Sequence, residues 1–263
     1  MRAYVEKQDA QAALACFEQA AQEDRNDTHV AAHWCAAMIL LSAGVHEQAI
    51  PHLEAIVAGE MDPAEDLALM KYMIAAPGLV SPVKSCDLGP LSPSSVAGPT
   101  DAVIALAGCY AKVGRLDEGI GVLQKALEHR YWPLGALALV ALYQEDQDWD
   151  EIIHLAATYA TEDPDEITSP LLRLHQAGAM LNLGQPDAAI EVYSAMLRRR
   201  KLDADLAKAA RYGRGLAELA GDKTAAAKRD FARIYADDPD YIDVAKRVSP
   251  DADAPAGDEQ VEP

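Results

Sequence analysis

The chain has 263 residues, half of them hydrophobic but only 6% aromatic, and its 42 acids against 23 bases give a net charge of −19. That charge argues against nucleic-acid binding, which needs a basic face, and against docking to an anionic membrane surface. The apolar mass is mainly Ala and Leu, strong helix formers, and alternating runs of β-branched residues are nearly absent, so an all-α fold is expected.

The chain opens on MRAYVEKQDA, which lacks the apolar stretch of a signal peptide. The most apolar run, Trp34 to Val45, is too short to span a bilayer. Cys16, Cys35, Cys86 and Cys109 are far apart and form no C-x-x-C pair, so neither a disulfide framework nor a zinc site is expected. A reducing, cytoplasmic compartment without membrane insertion is the expectation.

A small or apolar residue followed four positions later by a second apolar one, usually larger, recurs along the chain. The pairs are Ala13 and Phe17, Ala49 and Leu53, Gly119 and Leu123, Ile152 and Ala156, Ala189 and Tyr193, and Ala227 and Phe231. Their first members are 36, 70, 33, 37 and 38 residues apart, and 70 is two periods of 35. Five residues before the small position comes a turn residue (Gln8, Gly44, Gly114, Gln147, Gly184), with Gly221 one place earlier than that in the final unit. Nine residues before it comes a larger anchor: Tyr4, Leu40, Tyr110, Tyr143 or Met180. Glycine permits the tight reversal, and the small residue lets two helices touch. The first helix of the array is short, about eight residues, and no N-terminal cap is visible.

The doubled step contains a second departure. Residues 63–76 read as a helix, whereas 77–99 hold five Pro, five Ser and three Gly and read as a long irregular loop. Further on, residues 198–214 carry seven bases and two acids. Arg198 to Lys201 end a helix, where cations complement the dipole, and Lys208, Arg211 and Arg214 are three apart on the next. Pro239 is placed to start a capping helix whose stripe is Tyr241, Val244 and Val248. Residues 249–263, with five acids and no base, read as a disordered tail.

These residues resemble the tetratricopeptide repeat (TPR) superfamily over residues 1–248, which implies a right-handed α-solenoid of about six helix pairs and a role in protein–protein interaction. The order of features, with an early irregular insertion and a D-P-x-Y closure at Asp238–Tyr241, is also similar to the N-terminal TPR half of EccA-type ATPases of type VII secretion. In that family the chemistry resides in a following ATPase module with G-x-x-x-x-G-K-[ST], a motif this chain does not contain.

No catalytic constellation emerges. His46-Glu47 begins an H-E-x-x-H pattern, but residue 50 is Ile. His29 and His33 share a helix face without a third ligand. Ser92, Ser94 and Ser95 lack a G-x-S-x-G elbow, and Gly119 and Gly121 do not follow a strand. The expectation is a non-catalytic scaffold or adaptor, without cofactor or metal, that holds a protein or peptide partner in a groove. The alternative is a regulatory or chaperone-like subunit of a secretion ATPase. The residues expected to meet the partner are Lys208, Arg211, Tyr212 and Arg214. That basic row suits an acidic segment because Arg forks match carboxylates, and the 249–263 tail is one such segment. The loop around Val80–Leu91 is a second candidate surface.

Overall fold

The Ala- and Leu-rich segments fold into helices, twelve of them and no strand among the residues that the computed structural model describes, 10–22, 29–59, 99–128, 131–161 and 168–248. The chain forms two compact units. The first, Met1–Asp148, contains α1 (Ala10–Gln22), α2 (His29–Ser42), α3 (His46–Ala58), α4 (Pro99–Lys112), α5 (Leu116–Glu128) and α6 (Pro133–Asp146). The second, Trp149–Pro263, contains α7 (Trp149–Tyr159), α8 (Thr168–Asn182), α9 (Pro186–Leu197), α10 (Ala204–Ala220), α11 (Thr224–Asp237) and α12 (Val244–Val248). Within each unit every helix packs on the next, and first helices of successive pairs also touch, α4 with α6 and α8 with α10. This is the helix-pair stacking of a TPR-like array.

The repeat has a backbone cause. Gly44, Gly114, Gln147, Gly184 and Asp222 all have left-handed φ, between 59° and 79°. Each stands five residues before a small position. Each makes the same pair of bonds: at the first, the Gly44 N–H donates to the Leu41 carbonyl at 3.0 Å and the Val45 N–H to the Leu40 carbonyl at 2.9 Å. The second bond recurs from Arg115 to Tyr110, Asp148 to Tyr143, Gln185 to Met180 and Lys223 to Glu218, at 2.7–2.9 Å. Such paired closure satisfies the carbonyls that a helix end leaves without partners. In the final turn the left-handed residue is Asp222 and not Gly221, whose φ is −94°. The five-residue offset is therefore kept, and the residue identity is what varies; Asp tolerates this conformation better than most side chains.

After each turn the small residue is fully enclosed. Ala13, Ala49, Ile152, Ala189 and Ala227 are inaccessible to solvent, and Gly119 is buried. A Cβ on Gly119 would stand 2.7 Å from the Ala107 carbonyl oxygen on α4, so the backbones of α4 and α5 touch there. Gly121 has nothing near its missing side chain and permits no packing of its own. The anchors Leu40, Tyr110 and Tyr143 are buried, whereas Met180 is half-buried; Tyr4 and Gln8 lie outside the described residues.

Across the 70-residue step α3 packs directly on α4. The Tyr110 hydroxyl donates to Glu54 and ties the two helices, and the Arg115 guanidinium lies over the Tyr110 ring at 4.5 Å from its centroid. Burial first, then the Glu54 bond, pushes the Tyr110 phenol up to about 12. The helix expected at 63–76 and all but the end of the 77–99 loop lie outside the described residues, as does the 249–263 tail. Pro99, placed at the loop's end by the sequence, is the first residue of α4, a position where its missing N–H costs no helical bond.

The cap also differs from expectation. Pro239 begins a turn, and α12 starts only at Val244, because Ile242 adopts a φ of 50° that a helix cannot propagate through. The apolar stripe nonetheless holds: Val244 is inaccessible, and Tyr241 and Val248 pack on the cluster of Phe231 and Ile234. Among the described residues no helix is long and apolar enough to cross a membrane.

Gly119→Ala is expected to destabilise by about 1–3 kcal/mol through overpacking against backbone. Gly121→Ala should be neutral or stabilising by up to about 1 kcal/mol, since alanine is the better helix former. Urea denaturation of the two variants checks the contrast, and equal losses would show that the close approach lies elsewhere.

Candidate functional site

The basic row lies on α10, whose start is set by Asp203: its carboxylate accepts from the backbone N–H of Asp205 at 2.9 Å and Leu206 at 3.2 Å. Two glycines let neighbouring helices close on α10. A Cβ on Gly213 would come within 2.4 Å of the Tyr193 ring of α9, and one on Gly215 within 2.8 Å of Phe231 of α11. The helix is thus held between two aromatic side chains.

Three of the four expected contact residues are engaged within the chain. Lys208 donates to Asp238 at 2.8 Å, lies 3.4 Å from Asp205 and sits over the Tyr241 ring. The Tyr212 hydroxyl donates to Asp243 at 2.7 Å, and its ring meets Phe231 and Tyr241 edge-on. Arg214 forks onto Asp230 at 2.7 and 2.8 Å and also donates to Ser194 of α9 at 3.2 Å. Only Arg211, half-buried, makes no ion pair, hydrogen bond or ring contact among the described residues. The geometry explains the split. Three-residue steps on an α-helix drift by about 60° each, so Lys208 and Arg214 point about 120° apart. Arg214 is aimed at the second helices of two successive pairs, α9 and α11.

What the sequence reading missed is the acidic counterpart of this row. Asp243 accepts from both Tyr212 and Arg247, whose guanidinium, 2.8 Å away, holds the carboxyl below its usual range. Arg247 in turn lies over the Phe231 and Tyr212 rings at 5.2 and 5.6 Å. Together with Lys208 and Asp238 these contacts clasp the capping segment to α10. Glu218 occupies the position that Leu40, Tyr110, Tyr143 and Met180 hold in earlier units. It is 8% exposed, and its Oε2 has no hydrogen-bond partner among the described residues. Burial, then the charge of Asp230, pushes its carboxyl above the ordinary value, with Arg214 acting the other way. Counting nine residues back from Ala227 would have located it.

Of the two histidines weighed as a metal pair, the side chain of His29 lies outside the described residues. His33 of α2 meets His52 of α3, Nδ1 to Nδ1 at 2.9 Å, one imidazole donating and the other accepting. Burial lowers the His52 pKa, while Glu18 opposes the shift. Among the described residues no group of three or more His, Cys, Asp or Glu side chains is arranged to hold a metal ion.

The family "T7SS, ESX-1 secretion system protein EccA1, N-terminal domain" matches residues 91–250, from ahead of α4 to just past α12. A tetratricopeptide repeat family matches residues 2–66. No curated protein matches the chain. Among solved structures, a tetratricopeptide repeat protein from Parabacteroides merdae ATCC 43184 is similar at 13% identity, over 94% of this chain and 93% of that one, with a TM-score of 0.43.

Glu218→Met should restore the apolar anchor and stabilise the chain at neutral pH by about 1–3 kcal/mol, the cost of a buried unsatisfied polar group. Because folding raises the Glu218 pKa, the wild-type carboxyl contributes stability below its unfolded value, which is lost as pH rises through the folded value. The advantage of Met over Glu should therefore grow from pH 4 towards pH 7. Denaturant melts across that range check it, and a pH-independent difference would place Glu218 in contact with water.

Proposed function

The chain belongs to the family of the EccA1 N-terminal domain, and from that premise we infer that it is a non-catalytic protein-interaction module of a type VII-like secretion system, presenting helix surfaces of its TPR-like array to a partner segment. The observation that carries this reading is the extent of the family match, which covers every helix from α4 to α12 and so includes α10 with its basic residues. The G-x-x-x-x-G-K-[ST] phosphate loop is absent from the sequence, so the reading is of a binding module whose engine belongs to another chain or segment. A cytoplasmic location fits Cys35 and Cys109, which are buried and form no disulfide. Burial pushes the Cys109 thiol up to about 11, away from thiolate chemistry.

Within this reading Arg211 is the basic side chain of the row still available to an acidic partner segment. Lys208, Tyr212 and Arg214 hold α10 and the cap in the shape that presents it. The two roles separate by mutation. Arg211→Glu should abolish binding of a fluorescent Glu-rich peptide in an anisotropy titration while leaving the melting temperature unchanged. Arg214→Ala should instead cost about 1–3 kcal/mol of stability, because it strands the buried Asp230 carboxylate. If Arg211→Glu binds the acidic peptide as well as wild type does, the acidic-segment reading fails.

A further inference from the structure

A second contact surface, resting on the reading of the chain as an interaction module, lies where the array closes. Between α11 and α12 the N–H of Tyr241 donates to the Asp238 carbonyl at 3.3 Å and the N–H of Val244 to the Tyr241 carbonyl at 3.1 Å. The chain reverses through Ile242 at a φ of 50°. Glycine, asparagine and aspartate enter this left-handed region readily, whereas a β-branched side chain there is a strained exception. The turn thus accounts for the φ but not for the isoleucine.

Burial does not account for it either. Ile242 is 66% exposed, the highest value among the exposed large hydrophobic residues described. The same turn directs Tyr241 and Val244 inward onto Phe231 and Ile234 and leaves Ile242 outside. Tyr235, near the end of α11, is 41% exposed, and Pro239 between them is exposed too. Single exposed apolar residues are ordinary on protein surfaces. A strained and exposed β-branched residue, which contributes nothing to the core, is not, and strain of this kind collects where a ligand is gripped.

Charge selects the occupant. Asp237 and Asp240 are exposed and form no ion pair among the described residues, so an exposed carboxylate stands two residues from each exposed apolar side chain. Arg233 and Lys246 are the exposed bases that bound the stretch. The chain's own segment 249–263 brings five acids and no base, and a second copy brings a net charge of −19. Both meet like charge at this face, which disfavours them as occupants. A basic partner is drawn to the chain at long range as well. We propose that Ile242 and Tyr235 form the apolar centre of a docking surface for a segment of another protein that carries a large apolar side chain flanked by lysine or arginine.

The test uses the full chain and a labelled helical peptide of about five turns, with leucine along one face and lysine along the other. Wild type should bind it, and Ile242→Asn should weaken binding about tenfold, as expected for a residue at the centre of an interface. The same variant should melt no lower than wild type, since the strain is relieved and no core contact is lost. A peptide with alanine in place of leucine should bind both proteins equally weakly. Arg211→Glu should leave the affinity for the leucine–lysine peptide unaltered, so failure of this proposal is distinguishable from failure of the acidic-segment reading. Equal binding by wild type and Ile242→Asn would overturn the proposal, as would a melting temperature that falls in the variant. A wild-type dimer in sedimentation that Ile242→Asn dissociates would assign the face to a second copy and overturn it equally.

Discussion

At five places the chain leaves a helix through a left-handed residue, and at each one the same two backbone hydrogen bonds close the end. The left-handed residue fixes where the first helix stops, and the bond reaching back five residues fixes the direction in which the second departs. Five residues further on the chain must tolerate close helix contact, and there it places Ala49, Gly119, Ile152, Ala189 or Ala227. The nine-residue interval from anchor to small residue is therefore a consequence of turn geometry. It survives when glycine is replaced at the turn, as Gln147 and Asp222 show. Everything built on the array, including the orientation of α10, depends on that closure.

α10 illustrates how such an array spends its side chains. Gly213 and Gly215 receive Tyr193 and Phe231, which brings α9 and α11 close enough for polar side chains to reach across. Lys208, Tyr212 and Arg214 then bind acids on α11 and the closing segment. Charge-assisted hydrogen bonds are stronger than neutral ones, so cations spaced as a ligand-binding row serve equally well to fasten helices together. Arg211 is the exception because no acid of α9, α11 or the closing segment is placed opposite it.

Much of this was legible in the sequence, and what was not has identifiable causes. The small residues, turns and period are local: each depends on residues within ten positions, so they survive without knowledge of the partner helix. The capping stripe was legible for the same reason. The start of α12 was not, because Pro239 signals a helix start while Ile242, a residue with no preference for left-handed backbone, is what delays it. The fate of the basic row was hidden because Asp230, Asp238 and Asp243 are 16 to 31 residues away from their partners, and nothing in a one-dimensional charge pattern says which acids face it. Glu218 was detectable by counting, yet a carboxylate at an apolar anchor position is the one substitution that hydrophobic periodicity discards.

The charge is distributed unevenly, and this bears on how a partner approaches. Residues 1–148 hold nine bases and twenty acids, whereas residues 149–248 hold fourteen bases and seventeen acids, and the last fifteen residues add five acids. The second unit is therefore acidic too, with a net charge of −8 against −11 for the first, but much of its excess lies in the last fifteen residues, and Lys208, Arg214, Lys223 and Arg247 are set against acids. Surface charges interact over about 8 Å at physiological ionic strength, so the nearest side chains weigh most in a contact made at α10 or at the α11–α12 turn. On the proposed readings an acidic segment would meet Arg211 and a basic one Asp237 and Asp240, each guided by its immediate neighbours. In such a surface the specificity comes from which few side chains the internal ion pairs leave over, and those pairs are set by the helix packing that the left-handed turns impose.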